Sequence, residues 1–393
     1  MTRDDGFDWL DDPAWQRAGD EAASLGGYAI PERWDGPIPQ LGHEHVLYST
    51  AGMGRAEWLE RRRGLCSIGA SAVAGVLGVS PYSSPLQVWA EVTGRAHTDF
   101  DEDELDRMLV GTACEPEIRL VAAQRLGVGL CSWDVGRDLV HRGVTFLSPW
   151  PVTVQHPTIS CLTASLDAVA FINGQLVVVE LKWGGWRQRD GWADYLLHGT
   201  LDSIVGTSVL AYYTQVQAQL AVTGLRKGYL IGVIGEEAAA WMLTTLAMRR
   251  RDGGTARPLA LREGDVYAFE IPRDDEAIRC IEEVVPRFHA RYVLGDEQPD
   301  ATDKRDLEIL RDLFVCSHPT AKPRVDDLAA DLIRFRELGT EIGRLGRERD
   351  GLKARLLQNL TTRRVQELVA GDLELRYRPN RHGVRSLTVA KAV

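Results

Sequence analysis

No stretch of the 393-residue chain is apolar for the roughly 20 residues that a membrane-spanning helix needs. The first residues are acidic and carry no apolar leader, so neither a bilayer span nor a secretory signal is expected. Six cysteines, at 66, 114, 131, 161, 280 and 316, include no C-x-x-C pair. That spacing speaks against a zinc or iron–sulfur site and for reduced thiols in a cytoplasmic protein. The nine histidines have no metal-ligand spacing, and no repeat of fixed period is visible. A strongly basic footprint is also missing, since the formal net charge is −10.

That charge is unevenly placed. Residues 1–45 hold ten acidic and three basic residues, a net of −7, which leaves −3 for everything after them. The acidic stretch is rich in Asp, Gly and Pro and reads as an irregular, solvated extension, on which Trp9, Trp15 and Trp34 are possible docking points. The nearly neutral body therefore does not exclude a nucleic-acid partner gripped by local cations, and Arg61-Arg62-Arg63 supplies such a cluster. Taken singly, these arginines are ordinary solvated residues.

The most informative run is SLDAVAFINGQLVVVELKW, Ser165 to Trp183. Asn173-Gly174 suits a two-residue type I′ turn, whose central residues both need positive φ, and apolar β-branched segments flank it. Facing residues in such a hairpin have numbers that sum to that of the turn pair, which sets Asp167 opposite Glu180. Like charges that close destabilise a sheet unless a cation lies between them. Strand alternation puts Lys182 on the same face, opposite Ser165, while Val178, Val179 and Leu181 supply the apolar remainder. Two carboxylates and a lysine suit metal-dependent phosphodiester hydrolysis, because hard oxygens hold Mg²⁺ and an ammonium can position the attacking water. A surface hairpin with a Glu-x-Lys pair is the bland alternative.

Helical patterns are expected from about Glu57, through IGASAVAGVLGVSPYSSPLQVWAEVTG, from about Glu104 to Arg125, and in AYYTQVQAQLAVTG up to Gly224. Strands are expected around 144–154, 161–171 and 176–183, and in KGYLIGVIG, AAAWMLTTLAM and DVYAFEIP. Beyond Asp274, Leu328, Leu332, Phe335, Leu338, Ile342, Leu345, Leu352 and Leu356 recur at spacings of three, four or seven and outline a long helix with a coiled-coil-like seam. Gly339, Gly343, Gly346 and Gly351 weaken it. LELRYR, PNRHG and VRSLTV read as a terminal hairpin. Three regions result: an extension over 1–45, a core over 46–272, and a mainly helical region over 273–393.

In order, WLERRRGLCSIGAS, GTACEPE, SLDAVAF…VVVELKW and YYTQVQAQL resemble the YqaJ-type viral recombinase family, to which lambda exonuclease belongs, within the PD-(D/E)XK nucleases. The resemblance covers about Glu57 to Gly224 and continues more loosely beyond. It implies an α/β (α+β) fold, with a restriction-endonuclease-like core whose mixed central β-sheet is flanked by helices. It also implies an exodeoxyribonuclease that digests double-stranded DNA from its ends, 5′ to 3′, in phage-type recombination. Such an enzyme uses Mg²⁺, with Mn²⁺ as a substitute, works beside a single-strand annealing protein, and forms a homo-oligomer. An endonuclease or end-trimming nuclease of a defence or mobile-element system is the alternative, and a non-catalytic DNA-end-binding protein a remoter one.

By that resemblance Asp167, Glu180, the Leu181 carbonyl and Glu115 are metal ligands, Lys182 orients the water, and Gln215 assists it. Arg62 or Arg63, Ser71 and Ser165 hold a terminal 5′-phosphate, while Trp186 is a candidate for stacking on a base and Trp183 for core packing. Ala168 stands where glycine is usual and Leu166 where proline is common, and both bear on the bend that aims Asp167. Without the resemblance, Glu115 and Glu117 read as exposed residues of a helix first turn, and Gln215 with Gln219 as one exposed helix face.

Overall fold

The structure, a computed structural model, describes residues 46–50, 53, 57, 60–61, 64–95, 102–185, 188–235, 263–314, 324–379 and 385–391. Of residues 102–110, 112–114, 134, 137–138, 141 and 263 it describes the backbone alone. The acidic extension, Arg62, Arg63, Trp186 and AAAWMLTTLAM lie outside the described residues. The chain separates into two compact units, Met1–Phe314 and Val315–Val393.

The first unit is a mixed α/β structure. In chain order it contains β1 (Val46–Ser49), β2 (Ile68–Gly69), α1 (Val73–Val76), α2 (Pro85–Val92), α3 (Glu102–Leu126), β3 (Gly129–Leu130), α4 (Trp133–His141), β4 (Phe146–Pro149), β5 (Val152–Gln155), β6 (Leu162–Ser165) and β7 (Ala168–Ile172). There follow β8 (Gln175–Gly184), α5 (Arg189–His198), α6 (Ser208–Thr223), β9 (Lys227–Ile234), β10 (Val266–Pro272), α7 (Asp275–Phe288) and α8 (Asp306–Leu313). Six strands form a sheet in the order β10-β9-β8-β7-β4-β3, and four form a second in the order β1-β5-β6-β2. The pairing is mixed, antiparallel for β7 with β8 and parallel for β8 with β9.

The β7–β8 hairpin has the expected register, from Ile172 opposite Gln175 to Ala168 opposite Val179. Asn173 and Gly174 both have positive φ, 51° and 76°, as a type I′ turn requires. Alternation along β8 then sorts its side chains. Val177, Val179 and Leu181 pack with Ile118, Val121 and Ala122 of α3, whereas Val178 packs on the opposite face with Val216 and Leu220 of α6. Glu180 and Lys182 share that second face.

The hairpin does not continue to Ser165, and here the expected pairing fails. Ser165 belongs to β6 and pairs with Thr153 of the four-stranded sheet. The chain changes sheets twice at one level, between β4 and β5 and between β6 and β7. Between the Pro149–Ala168 and Thr153–Ser165 pairs lie residues 150–152 on one side and only 166–167 on the other. One extra residue across an antiparallel pair is a bulge, which bends the ribbon and re-aims the side chains beside it. The bend therefore forms with Leu166 and Ala168 in place, and neither they nor Asp167 adopt a positive φ.

Helix α6 is buried along nearly its whole length and ends at Gly224, whose φ of 70° gives the left-handed cap. Its fully buried Gln217 is paired at both ends: it donates to the Pro272 carbonyl at 2.8 Å and accepts from the Asp274 amide at 3.0 Å. The expected division at 272/273 is crossed by packing, because Ile278, Ile281, Val285 and Phe288 of α7 are buried in the same core as α6. The second unit comprises α9 (Ala329–Arg363) and the sheet β11 (Glu367–Ala370), β12 (Leu373–Pro379) and β13 (Arg385–Lys391). The expected terminal hairpin is thus β12 with β13, joined by a third strand. Among the described residues no helix is long and apolar enough to cross a membrane.

Gly232 of β9 lies under the fully buried Trp192, and a Cβ there would meet the indole at 2.5 and 2.6 Å. Trp192 is itself hemmed in by Tyr212, Tyr267 and Phe269, with ring centroids 5.6 to 6.0 Å away. Gly232→Ala is expected to cost about 1–3 kcal/mol through overpacking, seen as a lower denaturant midpoint. An unchanged midpoint would mean the ring has room to move.

Candidate active site

The two sheets meet at a cavity of about 200 Å³. Asp167, Glu180 and Lys182 enter it from the six-stranded sheet and Gln215 from α6. Ser67, Ser71, Thr153, Thr163 and Ser165 form a hydroxyl-lined wall from the other side, joined by Tyr48 and Gly69. The hydroxyls are linked, Ser165 to Thr153 at 2.7 Å and Ser67 to Thr163 at 3.2 Å. Ser165 and Lys182 therefore share a cavity, although they are not a cross-strand pair.

Glu180 is the most constrained group, only 1% exposed. Burial, then the nearby Asp167 charge, pushes its carboxyl up to about 7, against the pull of Lys182 and Gln219. One of its oxygens pairs with the Lys182 ammonium, and the other accepts from Gln219 Nε2 at 2.6 Å. Asp167 accepts from the Leu181 amide at 2.9 Å, which ties the residue at the bend to β8. Burial pulls the Lys182 ammonium down, but the Glu180 and Asp167 carboxylates prevail and hold it above its ordinary value. The Tyr212 ring lies 4.9 Å from Lys182 Nζ, within cation–π range. Its hydroxyl meets that of Tyr82 at 3.1 Å.

Glu115 sits in the middle of α3 rather than in a first turn, paired with Arg119. It does not line the cavity. Burial and the Asp167 charge nevertheless raise its carboxyl despite Arg119, so it lies within the field of Asp167. Glu117 is buried, at 2% exposure. Arg61 rests over the Tyr48 ring at 5.2 Å, which brings one member of the arginine cluster to a cavity-lining residue. Trp183 packs against the cluster between α3 and the sheet, as expected.

Gln219 and Tyr212 were not anticipated as site residues. Both lie on α6 with Gln215, at positions that share a helix face. The spacing was legible; what marks Gln219 is the strand residue it meets, a tertiary contact.

Among the described residues no three His, Cys, Asp or Glu side chains are gathered into a ready-made metal cage. The donors that do face the cavity fit a hard divalent ion. Mg²⁺ is commonly held by one or two carboxylates with water completing its octahedron, and Asp167 and Glu180 are carboxylates whose mutual repulsion a cation would relieve.

The model of the YqaJ-like viral recombinase domain matches residues 57–226. A curated relative, the uncharacterised protein YqaJ of Bacillus subtilis (strain 168), is 25% identical over 257 residues, 65% of this chain and 61% of the relative. The match thus spans about three fifths of that relative's length. Among solved structures, an alkaline exonuclease from Laribacter hongkongensis is 18% identical, with 61% of this chain and 93% of that one covered and a TM-score of 0.36. A phage-related exonuclease from Haemophilus somnus 129PT is 10% identical, with 59% and 96% covered and a TM-score of 0.35.

A carboxyl raised by folding stabilises the fold while protonated. Its contribution is complete below the ordinary value of 4.5 and is lost as pH rises through about 7. In EDTA, the unfolding midpoint is expected to fall between pH 5 and 8 in the wild type and to fall less in Glu180→Gln. Equal slopes would contradict the burial assigned to Glu180.

Proposed function

We propose, because residues 57–226 match the model of the YqaJ-like viral recombinase domain, that this chain is a metal-dependent nuclease that digests double-stranded DNA from its ends, 5′ to 3′. The observation that carries the reading is the meeting of Asp167, Glu180 and Lys182 with a wall of hydroxyls in one cavity. The acidic face suits a cation and the hydroxyl face suits phosphate oxygens.

Asp167 and Glu180 would hold Mg²⁺, or Mn²⁺ in its place, aided by the Leu181 carbonyl and by Glu115. When bound, such an ion stabilises charge on the phosphate and acidifies water. The chain's own groups do the rest. Gln219 and Lys182 fix the two oxygens of Glu180. Lys182, steadied by the Tyr212 ring, holds the attacking water with its ammonium, and Gln215 lies beside it in the cavity. Ser71 and Ser165 receive a terminal 5′-phosphate, with an arginine of the 61–63 cluster as its counter-charge. Trp186 stacks on a frayed base. The products are a 5′-mononucleotide and a 3′ single-stranded overhang, the substrate of an annealing protein in phage-type recombination. Cytoplasmic action and a homo-oligomeric state belong to the same proposal.

The test uses linear duplexes labelled separately at the 5′ and 3′ ends, with and without a 5′-phosphate, in Mg²⁺ or EDTA. Mg²⁺-dependent early release of the 5′ label is expected, faster with the phosphate. Lys182→Ala should lower the rate by about 10²–10⁴, the usual worth of a positioned proton-transfer group. Ser165→Ala should erase the preference for the 5′-phosphate with a smaller loss of rate. First release of the 3′ label would overturn the polarity, and rapid loss of closed circular DNA would favour an endonuclease.

A further inference from the structure

Among the described residues of the second unit, one helix carries a long apolar stripe that the rest of that unit leaves uncovered. Helix α9 runs for 35 residues, about 52 Å at 1.5 Å per residue. Leu332 is 65% exposed, Phe335 80% and Ile342 69%, with Leu328, Leu338, Leu345 and Leu352 also exposed at spacings of three, four and seven residues. Only toward the C-terminal end, at Leu360, does the helix become buried. A helix stripe of this kind is a surface built to be covered.

The sequence of the helix points to what covers it. The stripe is symmetric about Ile342: Leu332 and Leu352 lie equally far on either side, as do Leu328 and Leu356. Elsewhere large residues mirror small ones, Leu338 with Gly346 and Leu345 with Gly339, so bulk on one side is met by space on the other. On the stripe itself Phe335 mirrors the long side chain of Arg349, and one pair of charges mirrors with inversion, Asp331 with Lys353. Two copies running antiparallel and centred on Ile342 would set Asp331 of each level with Lys353 of the other. Two parallel copies would set each of these charges level with its own twin.

We propose that α9 pairs with α9 of a second copy of this chain in an antiparallel, two-fold coiled coil centred on Ile342. A two-fold interface must be self-complementary, residue i meeting j and j meeting i. The stripe meets that requirement in size, the Asp331–Lys353 level favours the antiparallel direction, and the apolar residues supply the buried area. The pairing stands apart from the nuclease reading, since it concerns the second unit only.

The full-length protein tests it by sedimentation equilibrium at low and high salt. Leu332→Asp combined with Ile342→Asp is expected to halve the mass found for the wild type. Asp331→Lys should weaken association at least tenfold, and adding Lys353→Asp should restore it. High salt should loosen the wild-type pair. A wild type that stays monomeric at about 100 μM would overturn the proposal, as would a mass indifferent to the Leu332/Ile342 change or association tightened by salt. It would equally fail if these changes weakened DNA retention and left the mass untouched, for the stripe would then serve nucleic acid.

Discussion

Two carboxylates of like charge are brought together where the two sheets of the first unit meet, and the surrounding structure answers that repulsion. Glu180 is driven inward by strand alternation on β8, beneath a helix that leaves it almost no solvent. Asp167 is brought up by the bend between two sheets. Each carboxylate then receives what it can from its neighbours: an ammonium and an amide side chain for Glu180, a backbone amide for Asp167. These contacts do not neutralise the pair, and Glu180 is still pushed up to about 7. A buried group in that condition has a standing demand for a cation or a proton. Structure and proposed chemistry meet in that demand, because a divalent ion satisfies it directly.

The bend deserves its place beside the charges. An ideal hairpin extended past Ala168 would have carried Ser165 onto the same sheet as Lys182. The extra residue across the ribbon instead turns Ser165 and Thr163 into a second wall, facing the carboxylates across a cavity. One side offers negative charge and the other neutral hydroxyl donors. A phosphate is repelled by the first unless a cation intervenes, and welcomed by the second. That polarity across a short distance is what a phosphodiester site requires.

Local features were readable from the sequence where local chemistry determines them. Asn173-Gly174 fixed the turn and, through it, the register of β7 with β8. Gly224 ended α6, and the leucine spacing beyond Leu328 outlined α9. What escaped depended on partners distant in the chain. The bulge arises from pairing between residues 146–155 and 162–172, and neither segment announces that it will change sheets. Gln219 looked like half of an exposed pair until the strand bearing Glu180 was placed beneath it. The boundary at 272/273 followed the change in composition, whereas packing carries α7 into the first core because its apolar face fits α6. The family resemblance added Glu115, which no periodicity would have singled out, and the structure sets it within reach of the Asp167 charge without placing it on the cavity.

Cation binding by the acidic pair is the central claim, and it can be measured without DNA. Mn²⁺ titrated into the protein at pH 8 and followed by electron paramagnetic resonance reports free ion directly. The wild type should take up Mn²⁺, Mg²⁺ should compete for the same site, and Asp167→Asn and Glu180→Gln should each weaken binding at least tenfold. Mn²⁺ uptake unchanged in both variants would contradict the account.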